Sequence, residues 1–239
     1  MDKVLEKIGE FGIVPVVVIE RPEDAEPLAR ALCEAGLACA EVTFRTDAAA
    51  GAIETMTRVC PEMLVGAGTV LTTAQVDDAM RAGAQFIVSP GFDPKIVDYC
   101  IEKNITVVPG CVTPSEVAQG VCRRLEVLKF FPAEQAGGLA MIKAIAGPYS
   151  GVSFMPTGGI SEKNLAEYLE CSNVVCCGGS WIAKSELLEA GNFAEVEERA
   201  ARALDIVRAV RNTQIRKVDL DEKDSNYGRD NASLVYTWA

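Results

Sequence analysis

The chain has 239 residues, enough for one domain and close to the ~250 of a single α/β barrel. With 49% hydrophobic and 24% charged residues it can bury a large core, and a net charge of −11 argues against a general nucleic-acid or anionic-membrane surface. Histidine is absent, which excludes Ser-His and Cys-His relays, imidazole bases and most zinc and iron sites.

Residues 1–10 are charged and amphipathic and read as an N-terminal helix rather than a secretory signal. Eight apolar, β-branched runs follow, near 12–20, 37–45, 63–70, 86–91, 106–112, 127–133, 153–159 and 174–181. Their starts are 20 to 26 residues apart, room for a strand, a helix of ~11 residues and two short loops. Helices are predicted at 22–35, 73–82, 94–103, 114–122, 138–146, 161–170 and 193–211. The first opens with Pro22 and acids, then sets Ala25, Leu28, Ala29, Leu32 and Cys33 on one face. Strands this apolar are buried on both faces, the mark of a parallel sheet. A closed (β/α)8 TIM barrel over residues 1–211 is expected. An open doubly wound sheet would want a Gly-rich turn after the first strand, and none is there.

Residues 212–239 are polar and charged and end in an apolar-aromatic stretch. They read as a C-terminal tail, flexible or docked on the barrel or a neighbouring subunit. No apolar stretch reaches ~18 residues, so no membrane span is expected. The nine cysteines form no CxxC pair and six sit in apolar runs, so reduced, buried thiols in a cytoplasmic protein are expected, with a redox or metal role as the alternative. Asn231-Ala-Ser matches a glycosylation acceptor by chance only, given no secretion signal.

Chemistry in such barrels sits at the C-terminal ends of the strands, so polar residues inside apolar runs single themselves out. Lys129 stands in Val127-Leu128-Lys129-Phe130-Phe131-Pro132. An unpaired lysine buried there tends to become neutral, and a desolvated amine attacks carbonyls to form Schiff bases. The structural alternatives are a lysine that snorkels outward or a permanent buried ion pair. Glu41, Thr43 and Arg45 alternate, so one face of their strand carries all three. Facing the interior, Arg45 could clamp a carboxylate. Glu41, if burial raises its pKa, is the best proton shuttle in a histidine-free site. An internal Glu41–Arg45 salt bridge is the alternative. Thr69 ends the third strand in Gly66-Ala67-Gly68-Thr69-Val70, where glycines allow a close approach to a ligand and the hydroxyl can donate. The pairs Gly158-Gly159 and Gly178-Gly179, the second followed by Ser180, close the last two units. There they can form a phosphate cup from backbone N–H groups, or two tight turns with no ligand.

Taken together, these segments resemble the class I 2-keto-3-deoxy-6-phosphogluconate (KDPG) / 4-hydroxy-2-oxoglutarate (KHG) aldolase family over residues 8–211. The carrying motifs are Pro15-Val16-Val17-Val18, Glu41 to Thr46, Gly66 to Val70, Val88-Ser89-Pro90-Gly91, Val108-Pro109-Gly110, Lys129 to Glu134, Gly147-Pro148-Tyr149, Pro156 to Ile160 and Gly178 to Trp181. The resemblance implies a lyase with Lys129 as Schiff-base lysine and Glu41 as acid/base through a water. Arg45 and Thr69, with Thr157 nearby, would hold the pyruvyl carboxylate, and Pro90 and Phe131 would wall the pyruvyl end. Gly158, Gly159, Gly178, Gly179 and Ser180 would hold the phosphate. It implies a homotrimer, no metal and no cofactor beyond the covalent imine. Two features depart from the family pattern: the acidic tail and Glu20-Arg21 at the mouth of strand one. A non-catalytic sugar-phosphate or keto-acid binding barrel, a galactonate-type aldolase and another phosphate-binding barrel enzyme are the competing expectations. Metal-dependent epimerases and class II aldolases would want the missing histidines.

Overall fold

A computed structural model of the chain describes residues 2–232, with side chains through residue 214. Nine strand segments alternate with helices: β1 (Ile13–Val17), β2 (Cys39–Thr43), β3 (Leu64–Gly68), β4 (Phe86–Val88), β5 (Val107–Val108), β6 (Gly110–Cys111), β7 (Val127–Phe130), β8 (Ser153–Pro156) and β9 (Cys177–Gly179). Segments β5 and β6 are one barrel strand split at Pro109, which has no N–H to give a neighbour. Its carbonyl still accepts from the Lys129 amide at 2.9 Å. All pairings are parallel, in the orders β5-β4-β3-β2-β1-β9 and β6-β7-β8. Parallel bridges Phe154↔Val174 and Thr157↔Gly178 join β8 to the β9 region and close the ring. This is the expected eight-stranded barrel.

The helices are α1 (Lys3–Phe11), α2 (Ala25–Glu34), α3 (Ala49–Val59), α4 (Thr73–Arg81), α5 (Pro94–Glu102), α6 (Pro114–Cys122), α7 (Gly138–Ala146), α8 (Leu165–Leu169), α9 (Ser185–Glu189) and α10 (Phe193–Ala232). Local chemistry sets their ends. Asp2 caps α1 through the Val4 amide, and Gly12 ends it at φ +70°. Thr113 and Glu116 cap α6 reciprocally, with Pro114 as its first residue.

Two helices lie outside the sequence expectation. α3 has no capping side chain and contains Gly51, Thr55 and Thr57, all poor helix formers. Packing of Ala49, Ala52, Ile53 and Met56 holds it. α9 has only five residues. α10 also corrects a boundary: its backbone runs on to Ala232, past the end expected at 211. The apolar-aromatic stretch of the tail, residues 234–238, lies outside the described residues.

The core fills the barrel and the strand–helix layer. β2, β3 and β7 are buried along their whole length. The Phe86 ring occupies the space over Gly66, where an added Cβ would stand 2.2 Å from it. Truncating Phe86 to Ala would cost about 3–5 kcal/mol. Buried Leu5 and Ile8 of α1 join this core, and the Arg211 guanidinium donates to the carbonyls of Gly9 and Glu10, tying α10 to α1. Among the described residues no helix is long and apolar enough to cross a membrane.

Candidate active site

Parallel strands in register bring Glu41 and Lys129 to one barrel interior. Glu41 sits at the centre of β2, opposite Val16 of β1 and Gly66 of β3. Lys129 sits in β7, opposite Gly110 of β6 and Met155 of β8. Across the barrel their side chains meet: Lys129 Nζ donates to Glu41 Oε1 at 3.0 Å. Glu41 is fully buried and Lys129 is 5% exposed, so the amine is almost, yet not wholly, sealed from the mouth. Lys129 therefore does not snorkel, and it is paired rather than isolated. Its Nζ also lies 5.3 Å from the centroid of Phe131, which begins the Phe131–Pro132 cis peptide.

The second carboxylate oxygen of Glu41 is buried and has no partner within the chain. The Thr157 hydroxyl is in the same condition. A buried polar atom without a partner costs about 1–3 kcal/mol, so such atoms mark places where a water or a ligand group belongs.

Glu41 pairs with Lys129, and Arg45 lies beyond the end of β2 on the exposed side. The expected alternative, a Glu41–Arg45 bridge, is thus replaced by two separate contacts. Arg45 Nε donates to Thr69 Oγ1 at 3.3 Å, joining the two residues expected to hold a carboxylate. Thr43, the third of the alternating set, is spent on structure: its hydroxyl donates to the Val17 carbonyl at 3.0 Å. Thr69 has φ +53°, a left-handed backbone that β-branched residues rarely adopt. Strain of this kind costs about 1–3 kcal/mol and collects at functional sites.

The glycine motifs have reasons the sequence did not disclose. An added Cβ at Gly68 would stand 2.2 Å from Glu41 Oε1, so this glycine makes room for the carboxylate rather than for a ligand. At Gly110 it would meet the Pro90 carbonyl at 2.1 Å, which lets half-buried Pro90 overlie the β5–β6 break. The bridge Thr157↔Gly178 sets the two glycine pairs side by side. Gly158 and Gly159 turn with φ +98° and +81°, and Ser180 is exposed beside them. Gly178 and Gly179 are buried, their missing side chains replaced by Thr157 and by the Trp181 ring. Trp181 Nε1, a third buried atom without a partner, and the Tyr168 hydroxyl donating to Glu134 escaped the sequence reading. Trp181 closes the Gly178 to Trp181 motif without a role of its own having been assigned, and Tyr168 sits in no pattern that marks chemistry.

Comparison with known proteins now decides the family. A sequence model described as "KDPG and KHG aldolase" matches residues 4–199. The chain belongs to this family. The 2-dehydro-3-deoxy-phosphogluconate aldolase of Treponema pallidum is 46% identical over 207 residues, 87% of this chain and 99% of that protein. The structure of the KDPG aldolase of Legionella pneumophila, with pyruvate captured at low pH as a covalent carbinolamine, is 40% identical. It covers 84% of this chain and 98% of that one with a TM-score of 0.81. The Zymomonas mobilis 2-keto-3-deoxy-6-phosphogluconate aldolase with 3-phosphoglycerate is 37% identical, with a TM-score of 0.78 over 83% of this chain and 94% of that one. In this KDPG and KHG aldolase, then, the Lys129–Glu41 contact lies within the matched region.

Proposed function

We propose that this chain is a class I aldolase that cleaves 2-dehydro-3-deoxy-6-phosphogluconate to pyruvate and glyceraldehyde 3-phosphate, and also accepts 4-hydroxy-2-oxoglutarate. The observation that carries the reading is the buried amine of Lys129, 3.0 Å from a buried carboxylate with a second oxygen free of protein partners. The covalent carbinolamine in the Legionella relative supports it.

Lys129, its proton passed to Glu41 or water, attacks the C2 ketone and forms a carbinolamine. Loss of water gives an iminium that draws electrons from the C3–C4 bond. Glu41, through a water, takes the proton of the C4 hydroxyl as that bond breaks, and glyceraldehyde 3-phosphate departs. The enamine left behind is protonated at C3, and hydrolysis returns Lys129 and pyruvate. The imine is itself the electron sink, so the scheme calls on no metal or cofactor.

Arg45, Thr69 and Thr157 hold the pyruvyl carboxylate in this reading, and Pro90 and Phe131 wall the methylene end. The paired turns Gly158-Gly159 and Gly178-Gly179-Ser180 receive the phosphate, a role supported by their adjacency and by the phosphorylated acid in the Zymomonas relative. A homotrimer and a cytoplasmic location are proposed on the family resemblance, the first testable by light scattering of the eluted protein.

The test is trapping. Incubation with pyruvate and borohydride should leave a reduced adduct on the Lys129 peptide, read by mass spectrometry. An unmodified peptide removes the mechanism. A coupled assay with lactate dehydrogenase should rank the phosphorylated acid above its C4 epimer and above 4-hydroxy-2-oxoglutarate in kcat/KM. Equal values with and without phosphate would remove the glycine-turn subsite.

A further inference from the structure

One cluster of ligand-bearing side chains stands apart from the barrel mouth. Cys33 lies in the last turn of α2, Cys60 caps the C-terminus of α3, and Glu62 follows in the turn before β3. Their two sulfur atoms and a carboxylate oxygen lie within 4.8 Å of one another. Among the described residues no other three cysteine or carboxylate ligands are gathered this way. Cys33 leads into β2 and Cys60 and Glu62 lead into β3, so the cluster sits at the N-terminal end of the barrel, opposite the strand ends where chemistry is placed.

Its geometry is close to that of a metal site. A tetrahedral zinc with Zn–S bonds of ~2.3 Å holds its sulfurs roughly 3.8 Å apart, so the two sulfurs need to approach by at most about 1 Å. The backbone under both thiols is fixed: the Cys60 amide donates to Met56 at 3.0 Å, and the Cys33 carbonyl accepts from Gly36 at 2.9 Å. Access is graded, with Glu62 exposed, Cys33 half-buried and Cys60 only 5% exposed. The carboxylates of Glu62 and Glu34 lie close enough to act on Cys33. Arg30, close enough to feel Cys60, limits the net charge. Two soft sulfurs and one oxygen suit zinc ahead of magnesium or calcium, which take oxygen ligands.

We propose that Cys33, Cys60 and Glu62 form a zinc site, with water as the fourth ligand. On loading, each thiol releases its proton to solvent and a sulfur lone pair forms the bond to the ion; two protons leave and no electrons are exchanged. The ion clips the end of α2 to the α3–β3 turn. It stabilises the fold and takes no part in the carbonyl chemistry.

The reduced full-length protein, titrated with zinc against a chromophoric chelator, should withdraw one equivalent. Cadmium should give a sulfur-to-metal charge-transfer band. Cys33→Ser and Cys60→Ser should each weaken uptake by roughly a hundredfold or more. Glu62→Gln, on an exposed side chain, should weaken it less, and Cys122→Ser, on the exposed cysteine outside the cluster, should leave it unchanged. Zinc should raise the Tm of the wild type and not that of Cys60→Ser. Melts without metal identify a variant that fails to fold, and Glu62→Gln with the cadmium band then decides the case. Failure of the wild type to compete with the chelator overturns the site, as does uptake unchanged by all three ligand substitutions.

Discussion

Lys129 and Glu41, 88 positions apart in sequence, meet inside the barrel with Nζ and Oε1 at 3.0 Å. Neither can lose the other cheaply, because removing one partner of a buried pair strands the second and costs about 3–5 kcal/mol. Lys129→Met and Glu41→Gln should therefore each destabilise the protein, and the double variant should be less destabilised than their sum. Urea melts should give a coupling of about 0.5–3 kcal/mol. Lys129→Met should have no turnover and no borohydride adduct. Glu41→Gln should lose about 10²–10⁴ in kcat, while pyruvate still traps on Lys129. Additive stability losses would show that the contact has no energetic weight.

Gly68 should prove as demanding as a catalytic position although it has no side chain. A methyl group there would stand 2.2 Å from Glu41 Oε1 and within 2.7 Å of two carbons behind it. Gly68→Ala must push the carboxylate away from Lys129, and a displacement of about 1 Å at such a centre costs on the order of 10²-fold in kcat. Gly51, inside α3 with nothing within 4 Å, is the control. Gly51→Ala should leave kcat alone and add about 0.5–1 kcal/mol of stability. Steady-state kinetics with chemical melts on both variants checks the pair.

How far these positions could be read in advance follows from their physics. Lys129 and Glu41 stand out because a charge inside an apolar run is costly, and cost is visible in one dimension. Their pairing is not, since it depends on which strands face each other across the closed ring. The same holds for Gly68 and Gly178, which read as ligand-approach glycines until the neighbours filling their space, Glu41 and Thr157, are known. The buried stripe of α3 is present in its sequence. Gly51, two threonines and the missing cap hide it, because tertiary packing rather than propensity makes that helix. The extension of α10 beyond 211 is hidden because its polar residues there have no apolar period to follow.

Thr69 holds a left-handed backbone, φ +53°, beside Arg45. Thr69→Gly should relieve that strain and raise stability by about 1 kcal/mol, the gain tempered by the flexibility glycine adds to the unfolded chain. It should also remove the hydroxyl that receives the Arg45 N–H. If the two residues hold the substrate carboxylate, KM should rise roughly tenfold with little change in kcat, the loss of one hydrogen bond to a charged group. A thermal melt and a substrate titration on the same preparation read both effects. A more stable protein with unchanged KM would place the carboxylate elsewhere.

The buried cysteines make the fold sensitive to alkali. Burial pushes Cys100 up to about 11 and Cys111 up to about 12 from an ordinary 9.0, and holds Cys39 and Cys177 well above it. In the folded protein these thiols keep their protons where the unfolded chain has lost them. The unfolded state then binds fewer protons, so the unfolding free energy falls as pH rises. The stabilisation is whole below the ordinary thiol value and is lost between it and the raised values, a window from about 9 to about 12. The Tyr168 hydroxyl, raised by burial and by its bond to Glu134, adds in the same direction at the upper end. Urea midpoints should hold steady up to pH 8 or so and decline above it. Cys100→Ala and Cys111→Ala should each flatten the decline while lowering the neutral-pH plateau, because each removes a buried side chain as well as a proton. In the same range alkylation should reach Cys122, the exposed thiol, first. A decline as steep in both alanine variants as in the wild type would assign the alkaline loss to other groups.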